Sequence, residues 1–222
     1  IDTIETGATL AVAMEAGLAR FGDAEGAEKL VREIAGGTVL GRALGEGSAV
    51  AGRVLGVRRV PAVKGQSFAA YDPRSVKGLG VTYATSPMGA DHTAGQTIRT
   101  SIDHHRSDKQ VETSRNAQIG VLMFDMLGVC ILAGPGIGSR RDLVRELVAS
   151  RFGWTLDPGF FDRIARQTIQ TERKFNRLAG LTGASDRLPE FIQEEALPPH
   201  STVFDLAPGD LKEVFTEIDP DL

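Results

Sequence analysis

The sequence predicts a mainly α protein: multi-helical, with two packed helical lobes and little or no β-sheet. Three observations carry this expectation. Apolar residues recur at helical intervals through most of the chain. Convincing alternating strands are nearly absent. Glycine (26 of 222 residues) and alanine are abundant while aromatics make up only 6%, a composition suited to closely packed, mostly short helices.

Taken in order, Asp2 and Glu5 have the spacing of a capping box, and Ile4, Ala8, Ala11 and Leu18 then recur at helical intervals. A second helix through Ala27, Leu30, Val31 and Ile34 stops at Gly36-Gly37. Two short helical turns follow, Val39 to Leu44 and Ala49 to Leu55, without a detectable sequence repeat. Pro61 makes Val60–Gln66 extended, either a short strand or a loop. Asp72-Pro73 opens a further helix carrying Val76, Leu79, Gly80 and Tyr83, and Pro87 stops it. Gly78 and Gly80 each cost that helix roughly 1 kcal/mol relative to alanine, which points to close approach of another helix or of a ligand.

Met88 to Ser107 is polar and irregular, and the boundary between a lobe of residues 1–100 and one of residues 101–222 is placed there. A helix from about Asp108 to Leu127 comes next. Ser139 with Asp142 starts another, through Leu143, Leu147 and Val148. Asp157-Pro158 begins the longest helix, with Phe161, Ile164, Phe175 and Leu178 on its inner face and Gly180 near its end. The tail from Arg187 is proline-interrupted, with a short amphipathic helix around Leu211, Val214 and Phe215.

Hydrophobic content of 41% and charged content of 24% are ordinary for a globular protein. A net charge of −4 and a pI near 5.6 give no reason to expect nucleic acid as a partner. No apolar run approaches a membrane span and no secretory signal is visible, so no membrane is expected. The single cysteine, Cys130, cannot form an internal disulfide; it fits a reducing compartment, and a cytoplasmic location is expected. Ile1-Asp2 already reads as the beginning of a helix, so the chain is expected to be a piece of something longer.

Asp125-Met126-Leu127-Gly128-Val129-Cys130 closes the helix that starts near residue 108. A carboxylate in the last turn of a helix faces partial negative charge and is mildly disfavoured unless a donor or a cation meets it. Spacing alone leaves two readings: a helix end with a buried, inert cysteine, or a cofactor turn. The run Gly134-Pro135-Gly136-Ile137-Gly138 lacks the Gly-Lys-Ser/Thr of a phosphate loop and reads equally well as a connector. His104 and His105 point in different directions and read as solvated loop histidines. Asp91-His92, after a stretch of small residues, reads as a structural histidine or as a proton carrier near neutral pH. No Ser-His-Asp signature or nucleophile elbow supports hydrolase chemistry.

Several stretches occur together and in order: Ile1-Asp2-Thr3-Ile4-Glu5-Thr6-Gly7; Tyr71-Asp72-Pro73-Arg74 with Lys77-Gly78 and Tyr83-Ala84-Thr85-Ser86; Gly89-Ala90-Asp91-His92; and Asp125-x-x-Gly128-Val129-Cys130. This pattern resembles the carboxy-terminal half of the tungsten-containing aldehyde:ferredoxin oxidoreductase family, to about residue 200, and fades in the tail. The resemblance implies a tungsten (or molybdenum) bis-pterin, a 4Fe-4S cluster, a small aldehyde substrate and ferredoxin as electron acceptor. It makes residues 1–100 part of the family's second domain, truncated at its start. It also implies an amino-terminal domain of the same protein as partner, with a homodimer among the expected assemblies. Buried carboxylates at helix ends suit the N–H donors of a pterin. Asp125 would take one pterin and Asp2, the last residue of a second such motif, the other; Val129 belongs to the Asp125 motif, and Cys130 would be the fourth ligand of the cluster. His92 matches a histidine near the metal.

Departures from the family pattern are specific. The basic residue expected two positions after His92 is Ala94, so contact with a pterin phosphate is lost or passes to Arg99. Val129 stands where leucine is commoner. The other three cluster cysteines are not in this chain, and the isolated 222 residues are expected to be inactive, with neither metal nor cluster. Two other readings remain at this point: a helical scaffold that kept the fold and lost the chemistry, and a related tungsten or molybdenum enzyme with a different substrate.

Overall fold

The computed structural model describes residues 2–219; Ile1, from the expected opening motif, and residues 220–222, at the end of the expected second lobe, lie outside the described residues. The fold is mainly α, and the only sheet among the described residues is a two-stranded hairpin.

Helix α1 (Thr3–Glu15) starts on Asp2, whose Oδ1 accepts the Glu5 N–H at 2.7 Å. The capping box is only half made. The Glu5 carboxylate does not return to Asp2 but accepts the N–H groups of Ser48 (2.7 Å) and Ser67 (2.8 Å) and the Ser67 hydroxyl (2.8 Å). A local motif has thus become a tertiary tie. Of the positions at helical intervals, Ala8 and Ala11 are partly buried, while Ile4 is exposed and Leu18, also exposed, lies beyond the helix end; the fully buried residues are Thr9, Val12 and Ala13. Helices α2 (Ala24–Gly36), α3 (Val39–Gly45) and α4 (Ser48–Leu55) follow the sequence expectation closely. With α1 they enclose a small core of Val12, Ala13, Leu30, Leu44 and Ala51.

The open choice at Val60–Gln66 resolves as a hairpin, β1 (Ala62–Val63) against β2 (Gln66–Ser67). Its two-residue turn, Lys64-Gly65, has positive φ at both positions, the geometry that continues the twist of paired strands. Helix α5 (Lys77–Thr85) begins later than expected, because Asp72 is engaged elsewhere: its carboxylate accepts the Arg74 backbone N–H (2.8 Å), Nε (2.9 Å) and Nη2 (2.7 Å). Asp72-Pro73 is therefore a turn, not a helix start. Every residue of α5 is buried. A Cβ on Gly80 would lie 2.6 Å from the Phe204 ring and one on Gly78 2.8 Å from Gln110 Oε1, so both glycines serve close approach within the protein.

Residues 88–107 are irregular as expected, apart from a 3-10 turn at His92–Ala94. Helix α6 (Gln110–Met126) packs on α5 and on the later helix spanning Phe160–Leu178. The glycine run forms helical turns that include α7 (Gly134–Ile137). Helix α8 (Arg141–Phe152) is preceded by Arg140, not by a capping Ser139; of the expected Leu143, Leu147 and Val148 only Val148 packs on the core, where it joins the buried Val144, and both leucines are exposed. Helix α9 (Phe160–Leu178) is the longest of those described. Its inner stripe is Phe161, Ala165, Ile169 and Arg173 at steps of four, whereas Phe175 and Leu178 are exposed. Two residues past Arg173 is roughly 200° around the helix, so placing Arg173 inside puts Phe175 outside. Helix α10 (Glu190–Glu194), unforeseen, precedes α11 (Pro208–Glu213), which with Val214 and Phe215 matches the expected tail helix.

The largest core joins Leu79, Val81 and Tyr83 of α5 to Ile119, Ala165 and Ile169, and to Phe204, Leu206, Leu211, Val214, Phe215 and Ile218 of the tail. It draws from both sides of residue 100. Among the described residues no single helix is long and apolar enough to cross a membrane.

Candidate functional site

The buried α5 ends at Thr85 and releases the chain into Ser86–Ala90, which carries Asp91 and His92. Asp91 organises its own turn: Oδ1 accepts the Thr93 N–H at 2.8 Å and Oδ2 accepts the Thr93 hydroxyl at 2.7 Å. His92 Nδ1 lies 3.7 Å from Asp91 Oδ1, and its ring packs against Tyr71 with centroids 5.6 Å apart. The turn is pressed onto α6, where a Cβ on Gly95 would meet Gln118 Cγ at 2.6 Å, and the Thr82 hydroxyl donates to the Gly95 carbonyl at 2.9 Å.

Asp91 and His92 share a cleft of about 390 Å³ with Asp2 and Glu5 from α1 and its cap, and with Glu46 and Gly47 from the α3–α4 link. Two of the sequence-proposed site residues, Asp2 and His92, are thus brought together. Asp2 Oδ1 is occupied by its helix cap, and Oδ2 accepts no hydrogen bond from the described residues.

Asp125, Val129 and Cys130 lie outside that cleft, at the end of α6. Gly128 takes a left-handed conformation (φ 66°), which glycine adopts without a Cβ penalty. Its N–H donates to the Asp125 carbonyl (3.0 Å) and that of Val129 to the Phe124 carbonyl (2.9 Å). The half-buried Val129 packs against a cluster of Met123, Phe124, Val144 and Phe161. Cys130 is exposed, which overturns the buried, inert reading of this turn.

The Asp125 residue is exposed as a whole, yet its carboxyl is partly shielded from water. That shielding, and then the charge of Asp91, hold its pKa above the ordinary 3.8. Glu172 on α9 is raised in the same way, by burial and then by Asp125. Asp91, Asp125 and Glu172 therefore form an electrostatic chain from the His92 turn to the end of α6. Sequence reasoning missed Glu172, and nothing local marks it: only the packing of α9 on α6 brings it near Asp125. Between the ordinary pKa of Asp125 and its raised value, the folded protein keeps a proton that an unfolded chain releases. This group's contribution to stability consequently falls as pH rises through that window. Asp91→Asn is expected to lower the Asp125 midpoint, read by carboxyl-carbon NMR titration. An unmoved midpoint would mean the two carboxylates do not sense each other.

The donor set suits a pterin and a shared cluster. The Asp125 carboxylate accepts no hydrogen bond from the described residues and sits among other acids, an environment that an N–H donor would relieve. Among the described residues no group of three or more His, Cys, Asp or Glu side chains could hold a metal ion by itself, and the exposed Cys130 thiol is accessible as a single ligand. His104 and His105 are half-buried rather than solvated; the His105 ring packs on His200 at 4.7 Å. Arg99 is exposed.

Residues 1–217 match a family model described as aldehyde ferredoxin oxidoreductase, domains 2 and 3. The match runs past residue 200, where the resemblance was expected to fade. Similar curated proteins are the tungsten-containing aldehyde ferredoxin oxidoreductases of Pyrococcus abyssi, Thermococcus kodakarensis and Pyrococcus furiosus. Each is 31% identical over 89% of this chain, which spans 37%, 36% and 36% of their respective lengths.

Proposed function

Since this chain belongs to the aldehyde ferredoxin oxidoreductase family, we propose that it is the carboxy-terminal part of an enzyme that oxidises small aldehydes to carboxylic acids, with ferredoxin as electron acceptor. When bound, a tungsten (or molybdenum) bis-pterin would supply the redox chemistry and a 4Fe-4S cluster the electron path. The observation that carries this reading is the Asp125–Cys130 turn. It presents an exposed thiol and a carboxylate that accepts no hydrogen bond from the described residues, the latter coupled by charge to the Asp91–His92 turn.

In this proposal Asp125 and Asp2 accept N–H groups of the two pterins, Asp2 with the oxygen its cap leaves free. Val129 fixes the turn from which Asp125 and Cys130 act. Cys130 contributes one thiolate to the cluster. His92, held against Tyr71 and beside Asp91 in the cleft, accepts a proton released as water and aldehyde become acid. The upstream domain supplies the remaining ligands, and the isolated chain is inactive.

The test is anaerobic purification of the full-length protein from tungstate-supplemented cells, followed by metal analysis and an assay of aldehyde-dependent ferredoxin reduction. Tungsten or molybdenum is expected beside iron. His92→Gln is expected to lower kcat by about 10²- to 10⁴-fold at unchanged metal content. A full complement of iron without tungsten, molybdenum or pterin would overturn the proposal and favour a scaffold.

A further inference from the structure

We propose that Lys64, Arg173 and Asn176 are positioning residues: a polar clamp on the end of α5 that sets where the His92 turn stands in the cleft. This rests on the reading of His92 as the proton acceptor.

The last carbonyls of a helix lack intrahelical partners and carry partial negative charge. At the end of α5, four consecutive carbonyls are each taken by a side chain from a distant part of the chain. Lys64 Nζ donates to Ala84 O (2.8 Å) and Ser86 O (3.0 Å), Arg173 Nη1 to Thr85 O (3.2 Å), and Asn176 Nδ2 to Pro87 O (2.7 Å). The two cations are tied together by Asp186, whose Oδ1 lies 2.7 Å from Lys64 Nζ and whose Oδ2 accepts from Arg173 Nη2 at 3.0 Å. All three ammonium N–H groups of Lys64 thus have an acceptor.

The side chains of Lys64 and Arg173 are only 4% and 8% exposed. Burying charge this deeply is a poor way to gain stability, since well-packed apolar residues often do as well or better; in some proteins such networks instead fix one defined arrangement, the role assigned to this one. The backbone supports that reading. Lys64 is held at φ 52°, a left-handed conformation unfavourable for a residue with a side chain, in the hairpin turn that aims its amine at α5.

The same hairpin touches the loop a second time. Gly89 adopts φ 92°, and a Cβ there would run into the Val63 carbonyl oxygen. Its carbonyl accepts the Asp91 N–H at 2.7 Å, which leads directly to His92. Between Ala84 and Asp91 the chain is therefore gripped from the hairpin on one side and α9 on the other. None of these groups takes part in the proton transfer proposed for His92.

The experiment uses the full-length, cofactor-loaded protein and reads hydrogen–deuterium exchange beside kinetics. Lys64→Met is expected to speed exchange in peptides spanning 86–92 at least tenfold, with peptides from α1–α4 unchanged. It should lower kcat at least tenfold, with KM and metal content within about twofold of wild type. Lys64→Arg, which keeps donors for the same carbonyls, is expected to recover most of both losses. Gly89→Ala perturbs the loop from the Val63 side without touching a charge and should reproduce the exchange and kcat changes. It serves as the test if Lys64→Met fails to fold. Wild-type exchange across 86–92 in the substituted proteins would overturn the clamp, as would a change spread evenly over the whole chain. If exchange responds but the protein oxidises no aldehyde, the clamp stands and the catalytic reading of His92 falls. If His92→Gln slows turnover and the clamp variants do not, the reverse holds.

Discussion

Cys130→Ser in the full-length protein should abolish the visible absorbance of the proposed 4Fe-4S cluster and remove about four iron atoms per chain, while far-UV circular dichroism stays at the wild-type level. The split between cofactor and fold follows from where the side chain sits. Cys130 is exposed and takes no part in the neighbouring hydrophobic cluster; the turn is held by Val129 in that cluster and by the Gly128 backbone. Exchanging sulfur for oxygen at an exposed position should change stability by no more than about 0.5 kcal/mol. An alkoxide is far less accessible than a thiolate at neutral pH and is a harder ligand, so the cluster loses a corner it cannot readily replace. Val129→Ala should do the opposite, loosening the turn at some cost in stability while leaving the thiolate in the chain. Survival of the cluster absorbance in Cys130→Ser would remove Cys130 from the ligand set, and with it the main support for treating this turn as a cofactor junction.

That the turn was legible at all reflects its being local. Six consecutive residues carry the carboxylate, the helix stop and the thiol, and they are one of the stretches on which the family resemblance rests. Helix ends marked by glycine were legible for the same reason: α2, α3 and α4 fell where Gly36-Gly37 and the following glycines put them. Failures came wherever a side chain found a distant or competing partner. Glu5 left its capping box for Ser48 and Ser67, and Asp72 spent its carboxylate on Arg74 instead of starting a helix. The inner face of α9 was misread because its second half buries Arg173 rather than an apolar residue, and pattern reading gives a charged residue to the solvent side. The meeting of Asp2 with His92 in one cleft, and of Asp91 with Asp125 and Glu172, depends on packing between helices far apart in sequence. No spacing rule encodes such meetings. The tail shows this most plainly: prolines interrupt its pattern, yet Phe204 and Phe215 are both fully buried in the main core.

Gly41→Ala is expected to destabilise the protein by about 3 kcal/mol, the upper end of what overpacking ordinarily costs, and to lower Tm by about 6–12 °C for a domain of this size. A Cβ on Gly41 would fall inside the Glu33 carbonyl group and within 2.8 Å of the Ile34 nitrogen, all backbone of α2. A clash with a side chain can be relieved by a new rotamer, but this one requires α3 to move away from α2 as a body. The small core between them, with Leu30 and Leu44 buried and only a few further apolar residues around them, would open as they part. Gly120→Ala is the matched control: it lies in the interior of α6 with nothing within 4 Å of an added Cβ. There the higher helix propensity of alanine should be felt alone, as a gain of up to about 1 kcal/mol. The two variants should thus move Tm in opposite directions. The Gly41 change should also reach the site, because α3 runs directly into Gly45, Glu46 and Gly47, which form a wall of the cleft holding Asp2 and His92. In the full-length protein, loss of the proposed activity beyond the unfolded fraction is therefore expected in Gly41→Ala and not in Gly120→Ala. Near-equal, small effects of both would mean that α2 and α3 do not approach as closely as this packing requires.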